Sequence, residues 1–149
     1  MKGSRGGANT DANRRLAMNW GDGDTVRDPE GADYSSGQTN GTAAEQILAP
    51  DSLYNHYKKL IAIRKANPEI AYGDFRPLNT ELDVAGFLST LDGSTVAVLH
   101  NTTTEAVTLD LAALTDVSLT VLAAYAGVGG ATLEGTILTI DAQTSVVLR

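Results

Sequence analysis

The chain has no cysteine, one tryptophan, two phenylalanines and five tyrosines in 149 residues. Without cysteine there can be no disulfide and no thiolate metal site, although this does not fix a compartment. No apolar run reaches the length of a membrane span, so no membrane partner is expected. The first residues, Met1-Lys2-Gly3-Ser4-Arg5-Gly6-Gly7, have no apolar run behind their basic side chains, so no signal-peptide pattern is read here. Basic charge is scarce in the second half. From Leu82 to Arg149 there are seven acids and one base, Arg149, within a formal net charge of −7. Such a surface repels phosphate backbones, and nucleic acid is excluded as a partner of this half.

What is present is 42% hydrophobic content, enough for one packed domain with an attached segment. Its clearest element lies at 51–66. Leu53, Tyr57, Leu60, Ile61 and Arg64 fall at i, i+4, i+7, i+8 and i+11, with Tyr54 and Ile63 widening the stripe, which predicts an amphipathic helix. Asp51 or Ser52 can accept from the free N–H groups of its first turn, and Asn67-Pro68 stops it. A face this apolar needs a surface to cover.

Residues 1–50 hold eight glycines and few apolar anchors. A loop of that length in a compact domain is functional or disordered. It is read as a segment built to sit on something else, with residues 1–40 expected to be mobile. After the helix, Ala71–Leu78 reads as a connecting strand. Val84–Leu91 and Thr95–His100 are joined by Asp92-Gly93, a hairpin turn signal. Further strands are expected at 106–111, 119–125, 131–133, 137–140 and 145–148, with a turn at Val128-Gly129-Gly130. The predicted fold is therefore mainly β: an antiparallel, Greek-key-like β-sandwich of seven or eight strands, preceded by one amphipathic α-helix and a long irregular N-terminal segment. The expected boundaries are 1–50, 51–70 and 71–149.

Chemistry is thin. Asp22-Gly23-Asp24, with Asp28 and Glu30 following, resembles the start of a calcium loop but lacks its fifth and twelfth ligands, and reads as a solvated acidic turn. His56 and His100 read as packing or capping residues. No serine stands in a nucleophile elbow, and Gly127-Val128-Gly129-Gly130 is not a phosphate-binding fingerprint. No carboxylate stands in a context that would raise its pKa for general-acid work. Tyr125 alone of the aromatics lies within the late strands, so a sugar-stacking platform is poorly supplied. Asn40-Gly41-Thr42 and Asn101-Thr102-Thr103 fit the glycosylation pattern, which is common by chance. The residues by themselves give no catalytic site, no metal site and no cofactor.

The order of three segments carries a resemblance. Met1-Lys2-Gly3-Ser4, then Asp11-Ala12-Asn13-Arg14-Arg15-Leu16-Ala17-Met18-Asn19-Trp20, then Ser52 to Pro68, resembles the end of the α-amylase family of glycoside hydrolases. There the last barrel strand leads into a Gly-Met-x-Gly type segment. An Arg-x-Pro-Met-x-Trp stretch, the last barrel helix with a Leu-Ile-x-Leu-Arg core and trailing Asn-Pro, and a β-sandwich called domain C follow. Ala17 departs from the family's proline.

The resemblance implies that the nucleophile, the acid/base glutamate and the third carboxylate belong to earlier barrel strands, outside this chain. Barrel sites are assembled from loops after many strands, and retaining cleavage needs two carboxylates at fixed separation. It implies a C-terminal portion of an α-amylase/α-glucosidase-type glucan hydrolase that supports the catalytic barrel and is inactive alone. Under the same resemblance, Arg15 would orient substrate or a neighbouring acid, or brace the loop by an ion pair. Asp11 is a further substrate-binding candidate, and Trp20 reads as a loop anchor. The partners implied are the parent barrel and α-glucan. Two rivals stand beside it: a free-standing carbohydrate-binding module, and a homo-oligomer formed through the helix at 51–67.

Overall fold

The computed structural model describes residues 10–33, 41–80 and 83–149. The chain divides into two compact units, Met1–Tyr57 and Lys58–Arg149. The expectation of mobility and the Met1–Ser4 match fall in part or wholly outside the described residues.

The first unit contains two short helices that the reading of 1–50 as irregular missed: α1, Thr10–Arg14, and α2, Ala43–Leu48. Helix α2 forms because Thr42 and Glu45 make a reciprocal capping box. The Thr42 hydroxyl accepts from the Glu45 N–H at 3.2 Å, and the Glu45 carboxylate accepts from the Thr42 N–H at 2.7 Å. Six residues show no usable hydrophobic period, which is why the helix was illegible. Helix α3, Leu53–Ala66, follows as expected. Ser52 is its cap, accepting from the Asn55 N–H at 3.2 Å. The Asn55 amide donates to the carbonyls of Gln46, Ile47 and Ala49 at 2.9–3.1 Å, so one side chain closes the end of α2.

The second unit is a β-sandwich. After Pro68, a short helix α4, Glu69–Tyr72, replaces the first part of the strand expected at 71–78. The strand itself, β1, is Asp74–Leu78. Proline at the cap has φ of −60°, which opens a helix at no cost, and its missing N–H is not needed there. Then come β2 (Val84–Leu91), β3 (Ser94–Asn101), β4 (Val107–Asp110), helix α5 (Leu111–Leu114), β5 (Leu122–Gly127), β6 (Ala131–Glu134), β7 (Ile137–Ile140) and β8 (Thr144–Leu148). Strand β4 ends early because the Asp110 carboxylate caps α5, accepting from the Ala112 N–H at 3.1 Å. Strand β5 begins three residues later than expected, although Thr120 and Val121 already donate to the Arg149 carbonyl.

All pairings are antiparallel. One sheet has five strands in the order β1-β2-β3-β8-β5, and the other three in the order β4-β7-β6. The β2–β3 hairpin turns at Asp92 and Gly93, with φ of 50° and 82°, as the Asp-Gly pair predicts. Between the sheets lie Val84, Leu88, Ala97, Leu99, Leu109, Leu138, Ile140, Val146 and Leu148. Each fully buried aliphatic chain here stabilises the fold by about 1.5–3 kcal/mol. The large sheet is covered on its other face too. Val96, Val98 and Val147 pack with Ile63 of α3 and Ile70 of α4. Burial on both faces explains why Val96-Ala97-Val98-Leu99 is a continuous apolar run instead of an alternating one.

Candidate functional site

The loop between α1 and α2 is organised by side chains that accept from its own backbone. Asn13, 2% exposed, donates to the Asp33 carboxylate at 2.9 Å and accepts from the Asp33 N–H at 2.7 Å. Asp28 accepts from the Ala17 N–H at 2.9 Å. Asp24 accepts from the N–H groups of Trp20 and Val26, both at 2.8 Å. Those two donors, Trp20 first, hold the Asp24 carboxyl below the usual carboxylate range. The acidic turn therefore uses its carboxylates as backbone ties. Among the described residues no group of three metal-ligating side chains is assembled.

The two substrate-binding candidates meet each other. Arg15 and Asp11 form an i,i+4 ion pair, with both side chains open to solvent. Trp20 and Met18 stand about as open, at 60% and 62% exposed. The loop thus presents an arginine–aspartate pair and two large apolar side chains.

His56 is exposed on α3, edge-on to Tyr57 at 6.4 Å between ring centroids. His100, half-buried on β3, meets the Ser145 hydroxyl at 2.7 Å through Nδ1, and burial lowers its pKa. Among the described residues, neither histidine pairs with a carboxylate. The Asn101-Thr102-Thr103 match is occupied structurally. Asn101 is 2% exposed, and its Nδ2 donates to the carbonyls of Glu105, Ile140 and Asp141 at 2.7–3.1 Å. The nitrogen a glycan would modify is committed to the fold. Asn40, in the other match, lies outside the described residues.

Two of the open depressions lie among the described residues. One, of about 450 Å³, lies at the α2–α3 turn between Glu45 and Leu53; the other, of about 540 Å³, lies beside Asp83, Ala85 and Thr103. The carboxylate of Glu45 is taken up by its capping box, which lowers its pKa. This is the opposite of what a general acid needs.

Sequence reading missed a buried polar cluster of the β-sandwich unit. Glu69, 3% exposed, receives both arms of the Arg149 guanidinium at 2.9 and 3.2 Å and the Ser94 hydroxyl at 2.6 Å. Arg149 also donates to Asn67 at 3.0 Å. The available signal was a lone base in an acidic half, which must face some acid, but nothing in the sequence named which.

Helix α3 completes the picture. Ile63 packs on the large sheet, and Lys59 places its ammonium 4.9 Å from the centre of the Tyr125 ring. The stripe itself stays open: Leu53, Tyr57 and Ile61 are 55%, 58% and 53% exposed.

No family model matches the chain. Two curated relatives do: a palatinase of Erwinia rhapontici, 43% identical over 76 residues, and a probable alpha-glucosidase of Rhizobium meliloti (strain 1021), 37% identical over 62 residues. These matches take in 50% and 42% of this chain but only 13% and 11% of the relatives' lengths. Among solved structures, Eubacterium rectale Amy13B superposes with a TM-score of 0.81 at 25% identity, over 99% of this chain and 29% of that one. The alpha-amylase of H. orenii gives 0.68 at 28% identity, over 88% of this chain and 27% of its own. By sequence and fold together, the chain is similar to the C-terminal part of enzymes of the α-amylase family, and it spans less than a third of the length of the proteins it matches.

Proposed function

We propose that this chain is the structural C-terminal portion of a glucan hydrolase of the α-amylase/α-glucosidase type, supporting a catalytic barrel and inert toward glucan on its own. The observation that carries this reading is the state of α3. Its Ile63 side is docked, while Leu53, Tyr57 and Ile61 remain more than half exposed. An apolar stripe over three turns is ordinarily covered, and burying it would favour association by several kcal/mol at about 25 cal/mol per Å² before entropic costs. The partner this reading supplies is the barrel that the chain itself does not contain. Arg15, paired with Asp11 in the free chain, would be available to sugar or to a barrel carboxylate once that partner is present.

The test is hydrolysis of soluble starch and of a chromogenic maltooligosaccharide by the purified chain, with binding of the same sugars measured in parallel. Neither turnover nor binding is expected. Turnover that survives removal of contaminating amylase overturns the proposal, and binding without turnover replaces it with a carbohydrate-binding module. The same exposed stripe also favours a second reading, self-association through α3, which sedimentation over a range of concentrations decides.

A further inference from the structure

The sandwich and the helical corner beside it are held by very different means. Among the described residues, the core between the sheets contains eleven buried apolar residues, and the helix side of the large sheet contains three, Val96, Val98 and Val147. Helix α3 contains no buried residue, and the only buried residue of α4 is charged, Glu69. Apolar contact alone therefore holds the corner weakly, and polar contacts must supply the rest.

Those contacts converge on one residue. The Glu69 carboxylate accepts from Ser94 at the start of β3 and from both arms of Arg149 beyond β8, while its main-chain carbonyl accepts from the Ser89 hydroxyl of β2 at 2.6 Å. Asn67 extends the network into α3, accepting from Arg149 and donating to the Ile63 carbonyl at 2.7 Å. Arg149 is the only charged group among these partners.

We infer that Glu69 is the pin of a latch holding the α3–α4 corner against the large sheet, so that loss of its partners opens the corner and bares Val96, Val98 and Val147 while the sandwich stays folded. A buried carboxylate stripped of its guanidinium keeps its desolvation cost and loses its compensation. Native structures open in cooperative units, and the unit with the fewest buried apolar contacts opens first. The latch is independent of the enzymatic reading, since all of its residues lie in the β-sandwich unit.

The test is amide hydrogen exchange on the full chain, comparing the wild type with Arg149→Ala, which removes a side chain at the sandwich surface, and with Arg149→Lys. In Arg149→Ala, exchange over residues 63–72 is expected to accelerate by about tenfold to a hundredfold, with β3 and β7 amides changed less than about twofold. Arg149→Lys keeps the charge without the fork and should fall between the two. Unchanged exchange at 63–72, or equal acceleration in corner and sandwich, overturns the inference. Glu69→Gln, which retains an acceptor for Ser94, should open the same residues and no others.

Discussion

Glu69 and Arg149, 80 residues apart in sequence, meet in a two-pronged ion pair, Oε1 to Nη1 at 2.9 Å and Oε2 to Nη2 at 3.2 Å. The pair is asymmetric in its surroundings. The carboxylate side chain is 4% exposed and the guanidinium side chain 36%. Removing the arginine therefore strands a buried charge, whereas removing the glutamate leaves a cation that can reach water. Arg149→Ala is expected to lower the free energy of opening the α3–α4 corner more than Glu69→Gln does, by about 1.5–3 kcal/mol against about 1 kcal/mol. Hydrogen exchange over residues 63–72 in both variants checks the order.

The same carboxyl sets an acid limit. The Ser94 hydroxyl foremost, then the backbone N–H of Glu69 and the Arg149 guanidinium, outweigh burial and hold it below the usual range. A depressed pKa means stability that is complete above the unfolded value, about 4.3, and is lost as pH falls through the folded one. His100 acts with the same sign at higher pH. Its pKa is lowered by burial, so stability begins to fall once pH drops below the unfolded value of about 6.5. Melting temperatures from pH 8 to 3, at about half-unit steps, should fall in two stages. His100→Gln should flatten the first stage and Glu69→Gln should reduce the second. A single decline shared by all three proteins would contradict this.

How much of this could be read from the residues alone differs sharply between elements. The Asp92-Gly93 hairpin and the strand at Ile137–Ile140 were legible because turn chemistry and alternation are local signals. Helix α3 was legible because its period of 3.6 runs over fourteen residues. Helices α1 and α4 are five and four residues long, below any period, and α4 depends on a side chain bonded across the fold. The candidates Arg15 and Asp11 came from a resemblance, under which Arg15 would also act as a brace by ion pair, and their i,i+4 spacing is one at which opposite charges pair on a helix. Asn101 looked like a modification signal and turned out to be a buried bracket, because burial is not written in three residues.

That bracket gives a prediction of its own. Asn101 donates to three carbonyls and accepts from the Thr103 N–H and hydroxyl at 3.0 and 2.8 Å. Asn101→Asp removes the donors and turns a carboxylate toward three carbonyl oxygens. The expected loss is about 3 kcal/mol or more, with Asn101→Ala close behind. Intact mass of protein made in a glycosylating host should show no glycan on Asn101.

Two glycines separate backbone strain from crowding. Gly93 has φ of +82° with nothing near its would-be Cβ, so Gly93→Ala should cost only about 1 kcal/mol. Gly73 has ordinary backbone, yet a Cβ there would lie 2.6 Å from the Ser89 hydroxyl and 2.7 and 2.8 Å from the carbonyls of Glu69 and Thr90. Gly73→Ala must push α4 off β2, breaking the Ser89 bond to Glu69, and should cost about 2–4 kcal/mol. Equal losses in the two variants would show that the corner tolerates displacement more readily than its hydrogen bonds suggest.

The exposed stripe of α3 separates folding from association. Tyr57 and Ile61 are more than half exposed. Exposed substitutions away from packed or polar networks change stability by about 0.5 kcal/mol or less. Tyr57→Ser with Ile61→Lys should therefore leave urea unfolding of the chain almost unchanged. The same double variant should abolish concentration-dependent association seen by sedimentation, and should weaken capture by a separately produced barrel of the same family. If it unfolds the chain instead, the stripe belongs to the chain's own core, and neither a barrel nor a second copy is needed to cover it.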